Sequence, residues 1–126
     1  MTLQPPIPVL RIFDALLAKA FYVDWLGFKV DWEGRTGTDG PRYMQISRGP
    51  VVIHLSEHWG DCSPGAKVFI NIDDVEELHR ELWSRPNPNM RPGVDVAPWN
   101  AKVMEVIDPF NNRLCFNQPL KARPTK

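Results

Sequence analysis

The chain lacks a net charge, since its 126 residues carry 15 lysines and arginines against 15 aspartates and glutamates. Without an excess of one sign, no long-range field attracts nucleic acid, an anionic membrane or a polyanionic substrate. The sequence also lacks an apolar run long enough to span a bilayer, and its first residues have neither the basic flank nor the apolar stretch of a secretory signal. We therefore expect a soluble cytoplasmic protein with no nucleic-acid or membrane partner.

Cysteine is scarce, and the two thiols form no motif. Cys62 lies in a loop rich in serine, proline and glycine, and Cys115 lies inside a strand pattern. Two cysteines this far apart make neither a CxxC site nor the disulfide framework of a small secreted domain, so we expect free thiols. P-loop, GxGxxG and Ser-His-Asp patterns are also missing. The sequence offers no catalytic residues and no cofactor motif.

Proline is abundant instead, with 13 residues that cluster near both ends and before the last strands. Proline interrupts helices and cannot donate to a strand ladder, so we expect short, well-separated elements. The length suits a single domain over residues 1–126 with its own hydrophobic core. The tail over residues 119–126 has no apolar periodicity and is expected to fray.

The first half predicts a strand, a helix and three strands. Residues 7–13 alternate apolar side chains with proline and arginine, which suits an edge or exchanged strand. Asp14 is placed to cap a helix over residues 15–26, and Gly27 to end it. The predicted apolar stripe of this helix is Leu17, Ala20, Phe21 and Trp25. Further strands are expected over residues 28–33, 43–48 and 51–56, the last two joined as a hairpin by Gly49-Pro50.

The second half repeats this order after a loop. A strand over residues 67–72 precedes a helix that Asp74 caps and that ends near Ser84. Three short strands follow, over residues 94–97, 103–107 and 113–117. The chain thus reads as two strand-helix-three-strand modules, about residues 7–56 and 67–117, of the α+β class.

Four motifs resemble a known family. They are Leu26-Gly27-Phe28, the hairpin that ends in His54-Leu55-Ser56-Glu57-His58, Pro98-Trp99, and Asp108-Pro109-Phe110-Asn111-Asn112. Together they resemble the bleomycin-resistance protein branch of the glyoxalase/bleomycin resistance/dioxygenase (vicinal oxygen chelate) superfamily, from about Ile7 to Asn117. Asn111 stands where the family turn usually has glycine, and asparagine tolerates the left-handed backbone that such a turn needs.

The resemblance implies two βαβββ modules that form a half-open cup of mixed sheet. It also implies a homodimer with exchanged N-terminal strands, and ligand clefts between the subunits. Pairing of a proline-bounded first strand with a partner would cover an exposed sheet edge. Resistance proteins of this branch hold their drug without covalent chemistry, whereas enzymes of the superfamily hold a divalent metal in the same cup.

The four superfamily metal positions fall at Ile7, His54, Lys67 and Cys115. A catalytic metal needs about three protein ligands, and an aliphatic side chain and an ammonium group supply none. The ammonium of Lys67 would also repel a divalent cation. His54 and Cys115 could hold a soft metal only if both lay on one wall and a third ligand, such as His58, joined them. We therefore expect no metal site.

Strand alternation predicts which residues line the cup. His54 and Ser56 share one face of their strand, as do Phe69 with Lys67 and Cys115 with Asn117. The resemblance places aromatic residues against the ring system of the ligand, here Trp32 and Trp99, and Asp31 could attract a cationic tail. The predicted ligand-binding residues are Asp31, Trp32, His54, Ser56, Phe69, Trp99 and Cys115.

Each of these residues also has a purely structural interpretation. Asp31 can be a solvated strand carboxylate, and His54 a half-buried strand histidine satisfied by a neighbour. Glu105 is expected on the surface of its strand, with a general-base role as the alternative. The remaining predictions are structural: Trp25, Trp83 and Met104 in the core, Trp59 under a loop, His58 and His79 at the surface.

These patterns favour non-catalytic binding and sequestration of a medium-sized organic molecule, such as a bleomycin-type glycopeptide antibiotic, that gives antibiotic resistance. The alternative is a metal-dependent lyase, isomerase or dioxygenase of the same superfamily with atypical ligands. A third possibility is an interaction protein with no small ligand. A bound transition metal would favour the enzyme, and a cup filled by its own side chains would favour the interaction protein.

Overall fold

A computed structural model of the chain describes residues 1–85, 87 and 90–121. The chain forms two compact units. The first unit comprises residues 1–66 together with residues 108–112, and the second unit comprises the rest of the described chain. Among the described residues, none of the helices combines the length and the apolar character needed to traverse a lipid bilayer.

The first unit is built on a four-stranded mixed sheet in the order β1-β4-β3-β2. Strand β1 pairs in parallel with β4, and the other neighbours are antiparallel. Its strands are β1 Val9–Arg11, β2 Lys29–Arg35, β3 Arg42–Arg48 and β4 Val51–Ser56. The predicted edge position of β1 and the predicted hairpin of β3 and β4 are confirmed. Exchange of β1 between two subunits stays a prediction.

The first helical segment differs from the single α-helix that the apolar periodicity predicted. The Asp14 carboxylate caps helix α1, Ala15–Lys19, as predicted, but the chain then continues as a π-helical turn, Ala20–Trp25. The wider i to i+5 repeat of that turn brings consecutive residues inward together. The buried residues of the segment are Ala15, Ala18, Phe21, Tyr22, Trp25 and Leu26, whereas Leu17 and Ala20, which the predicted stripe included, are exposed. Gly27 ends the segment at a φ of 80°, as expected for its C′ position.

The second unit repeats the same arrangement with the strand order β5-β8-β7-β6. Strand β5 is parallel to β8, and the remaining pairs are antiparallel. Its elements are β5 Lys67–Asn71, α2 Val75–Trp83, β6 Asp95–Ala97, β7 Ala101–Ile107 and β8 Arg113–Pro119. The predicted α+β class with two βαβββ modules is confirmed, while the homodimer and the single-domain division stay predictions.

Helix α2 begins where predicted, since the Asp74 carboxylate accepts from Glu77 N–H at 3.1 Å. The expected stripe of Val75, Leu78 and Leu82 is buried. Trp83 follows one position after that stripe and is 47% exposed, so the prediction that it lies in the core is wrong. The indole N–H of Trp83 donates to Pro92 O at 2.8 Å instead.

Other predictions about single residues have mixed outcomes. Trp25 and Met104 are buried as expected, and the two cysteines are free thiols. Trp59 is 82% exposed rather than packed under its loop. The tail differs from expectation at its start, because Pro119 ends β8 and Leu120 N–H donates to Asn100 O. The rest of the predicted frayed tail, residues 122–126, lies outside the described residues.

A buried carboxylate organises the turn over residues 108–112 within the first unit. One oxygen of Asp108 accepts from the backbone N–H groups of Phe110 and Asn112, each at 2.8 Å. The other oxygen accepts from the Tyr22 hydroxyl at 2.7 Å and from the Asn112 side-chain amide at 2.9 Å. Asn111 adopts a φ of 71° in this turn, the left-handed conformation expected where the family has glycine.

Asp108→Asn should lower the free energy of unfolding by about 2–3 kcal/mol, because the new side-chain NH₂ group would face the Asn112 amide N–H, which would thereby lose its acceptor. Urea denaturation measures the loss. Asp39→Asn, a change at an exposed loop position, is the matched control and should alter stability by less than about 0.5 kcal/mol. Equal losses in the two variants would contradict the structural role of Asp108.

Candidate functional site

Each sheet has one buried face and one face that is not covered by the core of its own unit. In the first sheet, Met44, Ile46, Ile53 and Leu55 are completely buried on one face. Residues that alternate with them point the opposite way, because successive strand side chains alternate between faces. We call that opposite side the first open face, and its equivalent in the second unit the second open face.

A β-bulge places two predicted ligand-binding residues on the first open face. The pairing of β2 with β3 shifts between Val30 and Trp32, so that Val30 pairs with Ile46 and Trp32 with Gln45. Asp31 is the extra residue, and its carboxylate accepts from Gln45 and Ser47 on the open face. Simple alternation would send Asp31 and Trp32 to opposite faces, and the bulge allows both to lie on the same one.

Three rings form a cluster on the first open face. The Trp32 and Tyr43 rings are parallel within 9°, with centroids 5.9 Å apart. The His54 ring meets both edge-on, at 5.3 Å from Trp32 and 5.2 Å from Tyr43. Trp32 remains 47% exposed. The cluster therefore holds an indole in a fixed orientation while leaving about half of it accessible.

A chain of hydrogen bonds runs along the same face. The Tyr43 hydroxyl lies 2.7 Å from His54 Nδ1, and His54 Nε2 lies 3.0 Å from Gln45 Oε1. Gln45 Nε2 donates to Asp31 Oδ2 at 3.1 Å, and Ser47 donates to Asp31 Oδ1 at 3.0 Å. Both ring nitrogens of His54 are thus engaged. The sequence left two interpretations of His54 open. The structure shows a strand histidine whose hydrogen bonds are made by its neighbours, and it lies on the first open face.

Two pKa values on this face shift in directions that preserve the hydrogen bonds between Tyr43, His54, Gln45 and Asp31. Hydrogen bonds from Gln45 and then Ser47 lower the pKa of the Asp31 carboxyl, so that it stays ionised. Partial burial lowers the pKa of His54, which favours the neutral imidazole. Ser56, although on the same strand face, is fully buried and donates to Asp61 at 2.6 Å, so its hydroxyl stabilises the following loop.

The second open face carries the other predicted residues. Phe69 and Cys115 are cross-strand partners in β5 and β8. The Trp99 ring meets the Phe69 ring edge-on at 6.3 Å, and its indole N–H donates to Asn117 Oδ1 at 2.8 Å. Asn117 in turn donates to Asn71 at 3.0 Å. Phe69 is 51% and Trp99 56% exposed, so this face also presents oriented rings.

Charged residues surround the buried thiol of Cys115. Glu105 lies 3.4 Å from the Lys67 ammonium and 3.6 Å from the Arg113 guanidinium. Burial raises the pKa of Cys115, only partly offset by Lys67, so the thiol stays protonated. Glu105 thus belongs to an ion-pair cluster at the strand surface, in line with the structural interpretation of this residue.

The residues at the superfamily metal positions do not fit a metal ion. His54 has hydrogen-bonding partners at both nitrogens, Lys67 is paired with Glu105, and the thiol of Cys115 is protonated. Ile7, at the remaining position, has a hydrocarbon side chain with no atom that can coordinate a metal. Among residues 1–85, 87 and 90–121, no group of three or more histidine, cysteine, aspartate or glutamate side chains is arranged to hold a metal.

The structure thus brings Asp31, Trp32 and His54 together on one face and Phe69, Trp99 and Cys115 on another. Sequence reasoning missed Tyr43 and Gln45, which contact His54 directly. A signal for them existed, because the Gly49-Pro50 turn sets the hairpin register that pairs Gln45 with His54. Tyr43 then lies on the same face two residues away.

Comparison with known families is consistent with this arrangement. The sequence profile of a family described as Glyoxalase superfamily protein matches residues 1–122. The chain belongs to the glyoxalase superfamily. No curated protein sequence shows significant similarity to it.

Solved structures share the fold of this superfamily member. The bleomycin resistance determinant encoded on the transposon Tn5 is 20% identical with a TM-score of 0.71, and covers 94% of this chain and 100% of its own. The bleomycin-binding protein from bleomycin-producing Streptomyces verticillus, complexed with copper(II)-bleomycin, is 24% identical with a TM-score of 0.68. The match covers 96% of this chain and 99% of that protein. TnmS3, an antibiotic binding protein from Streptomyces sp. CB03234, is 24% identical with a TM-score of 0.69. The match covers 95% of this chain and 99% of TnmS3.

His54 should make the stability of the protein depend on pH. Because its pKa is lowered in the folded state, its contribution is fully present above the unfolded value of 6.5 and is lost as the pH falls through the lower folded pKa. Urea midpoints at pH about 7.5 and about 5.5 should therefore differ, with the lower value in acid. His54→Asn should reduce this difference and His58→Asn should not. An unchanged difference in the His54 variant would contradict the assignment.

Proposed function

We propose that this glyoxalase-superfamily protein binds and sequesters a medium-sized organic molecule that carries a flat ring system, of the bleomycin antibiotic type, without transforming it. The proposal includes a cytoplasmic location and a homodimeric assembly. Sequestration lowers the concentration of free ligand by mass action, so that protection from an antibiotic requires protein in stoichiometric amounts.

The observation that carries the proposal is the set of half-exposed, oriented aromatic rings on the open faces. Trp32, Phe69 and Trp99 are each about half exposed on sheet surfaces rather than buried in the core. Ring contacts and the Trp99 hydrogen bond fix their orientations, which reduces the entropy lost when a ligand stacks on them. The three solved proteins compared above are described as binding an antibiotic or conferring resistance to one.

The polar groups of the open faces support binding rather than catalysis. General acid-base chemistry needs a titratable group that can reach the substrate. Here the His54 nitrogens and the Asp31 oxygens already bond to neighbouring side chains, and Glu105 pairs with two cations. The Asp31 carboxylate retains further lone pairs, which suit it to orienting a ligand.

Isothermal calorimetry with metal-free bleomycin should give a saturable binding signal for the wild-type protein. Trp32→Ala should weaken the affinity by about tenfold, because loss of an aromatic contact is worth roughly 0.5–1.5 kcal/mol beyond burial. Trp83→Ala is the matched control, since Trp83 has the same 47% exposure but lies in α2. It should leave the affinity within about twofold.

Two outcomes would overturn this function. Absence of heat with bleomycin at tens of micromolar protein would remove the drug as the ligand. The enzyme alternative requires a bound ion, so a stoichiometric transition metal in the native protein, whose removal by a chelator abolishes a turnover activity, would replace sequestration by catalysis.

A further inference from the structure

We propose that the first open face selects ligands that present a hydrogen-bond donor at the edge of a flat ring, and that the Tyr43 hydroxyl is the acceptor which recognises that donor. This inference rests on the proposed function and specifies the ligand class at one of its faces. It follows from the direction in which the hydrogen bonds of that face must run.

The direction is set at the Asp31 end of the chain. An ionised carboxylate only accepts hydrogen bonds, so the Gln45 atom that faces Asp31 at 3.1 Å must be the NH₂ nitrogen. The carbonyl oxygen of Gln45 then faces His54 Nε2 at 3.0 Å, and a carbonyl oxygen also only accepts. His54 Nε2 must therefore carry a hydrogen.

The same reasoning passes through the imidazole to Tyr43. A neutral imidazole carries one hydrogen, and with that hydrogen on Nε2 the Nδ1 atom is a lone-pair acceptor. The Tyr43 hydroxyl at 2.7 Å must then donate its single hydrogen to Nδ1. A phenol that has donated its hydrogen retains only acceptor capacity, so the oxygen of Tyr43 offers lone pairs to a ligand.

The surroundings of Tyr43 reinforce this preference. Its ring lies parallel to the exposed Trp32 ring, which places the hydroxyl within reach of the edge of a ligand stacked nearby. Burial, and after it the charges of Asp61 and Cys62, raises the pKa of the Tyr43 hydroxyl, which therefore keeps the hydrogen that it donates to His54. The Arg11 guanidinium, which interacts electrostatically with Cys62, donates to the Glu57 carbonyl oxygen. With Asp31 at the far end of the chain, the face presents acceptors at both ends.

Indole and benzofuran test the preference directly, because they have nearly the same shape but only indole carries an N–H donor. NMR titration, followed through the amide resonances of β2 to β4, should show indole binding about three- to tenfold more tightly than benzofuran. The double variant Tyr43→Phe with His54→Phe keeps both ring positions and removes the hydroxyl as well as the Nδ1 lone pair that the Tyr43 change alone would expose. It should make the two affinities equal by weakening indole alone.

Ser47→Ala is the matched control. It removes a hydroxyl from the same face while the bond from Gln45 to Asp31 keeps the direction of the chain, so indole should retain its advantage. Long-range ¹H-¹⁵N NMR of the wild-type protein gives a readout independent of any ligand, and should show His54 as the Nε2–H tautomer.

The outcomes separate this inference from the proposed function. Equal affinities for the two compounds, a preference for benzofuran, or an Nδ1–H tautomer at His54 would overturn the donor selectivity and leave binding of antibiotics standing. Absence of shifts with both compounds would also overturn the inference. The proposed function itself falls only on its own two outcomes, which are absence of heat with bleomycin and a metal-dependent turnover in the native protein.

Discussion

The buried carboxylate of Asp108 is the interaction on which the first unit depends. Its two oxygens accept four hydrogen bonds, from two backbone amides of its own turn, from Asn112 and from Tyr22 in the π-helical turn. Asn112 extends the network, since its amide also donates to the carbonyl oxygen of Arg11 in β1. A buried charge is tolerated only when its hydrogen-bonding capacity is filled. The network thereby fixes the turn, the helical segment and the edge strand relative to one another within that unit.

The candidate site depends on a second carboxylate in a different setting. Asp31 lies in a β-bulge, remains partly accessible, and directs the hydrogens of Gln45, His54 and Tyr43 toward itself. A bulge changes the direction of a side chain and leaves one residue unpaired between the strands. Here it places the Asp31 carboxylate on the same face as the exposed Trp32 indole. Asp108 is saturated and structural, whereas Asp31 determines which atoms the neighbouring groups offer to a ligand.

The open faces of the two units carry different polar groups. Each unit buries one face of its sheet and exposes aromatic rings on the other. On the first open face, the groups that remain available to a ligand are hydrogen-bond acceptors, the Asp31 carboxylate and the Tyr43 hydroxyl oxygen. The second open face instead carries Lys67, Arg113 and the amides of Asn71 and Asn117. At the superfamily metal positions this chain has a hydrogen-bonded histidine, a paired ammonium and a protonated thiol.

The sequence by itself determined the order of elements, because alternation, helical spacing, caps and turn residues are local signals. Asp14, Gly27, Asp74 and Asn111 occupy the positions that these signals predicted. Only the tertiary structure decided the π-helical turn, the bulge at Asp31 and the exposure of Trp83, since each depends on how distant residues pair and pack. The hydrogen-bond chain through His54 was only partly predictable, because the Gly49-Pro50 turn indicates that Gln45 pairs with His54, whereas the contact of Gln45 with Asp31 depends on the bulge in the pairing of β2 with β3.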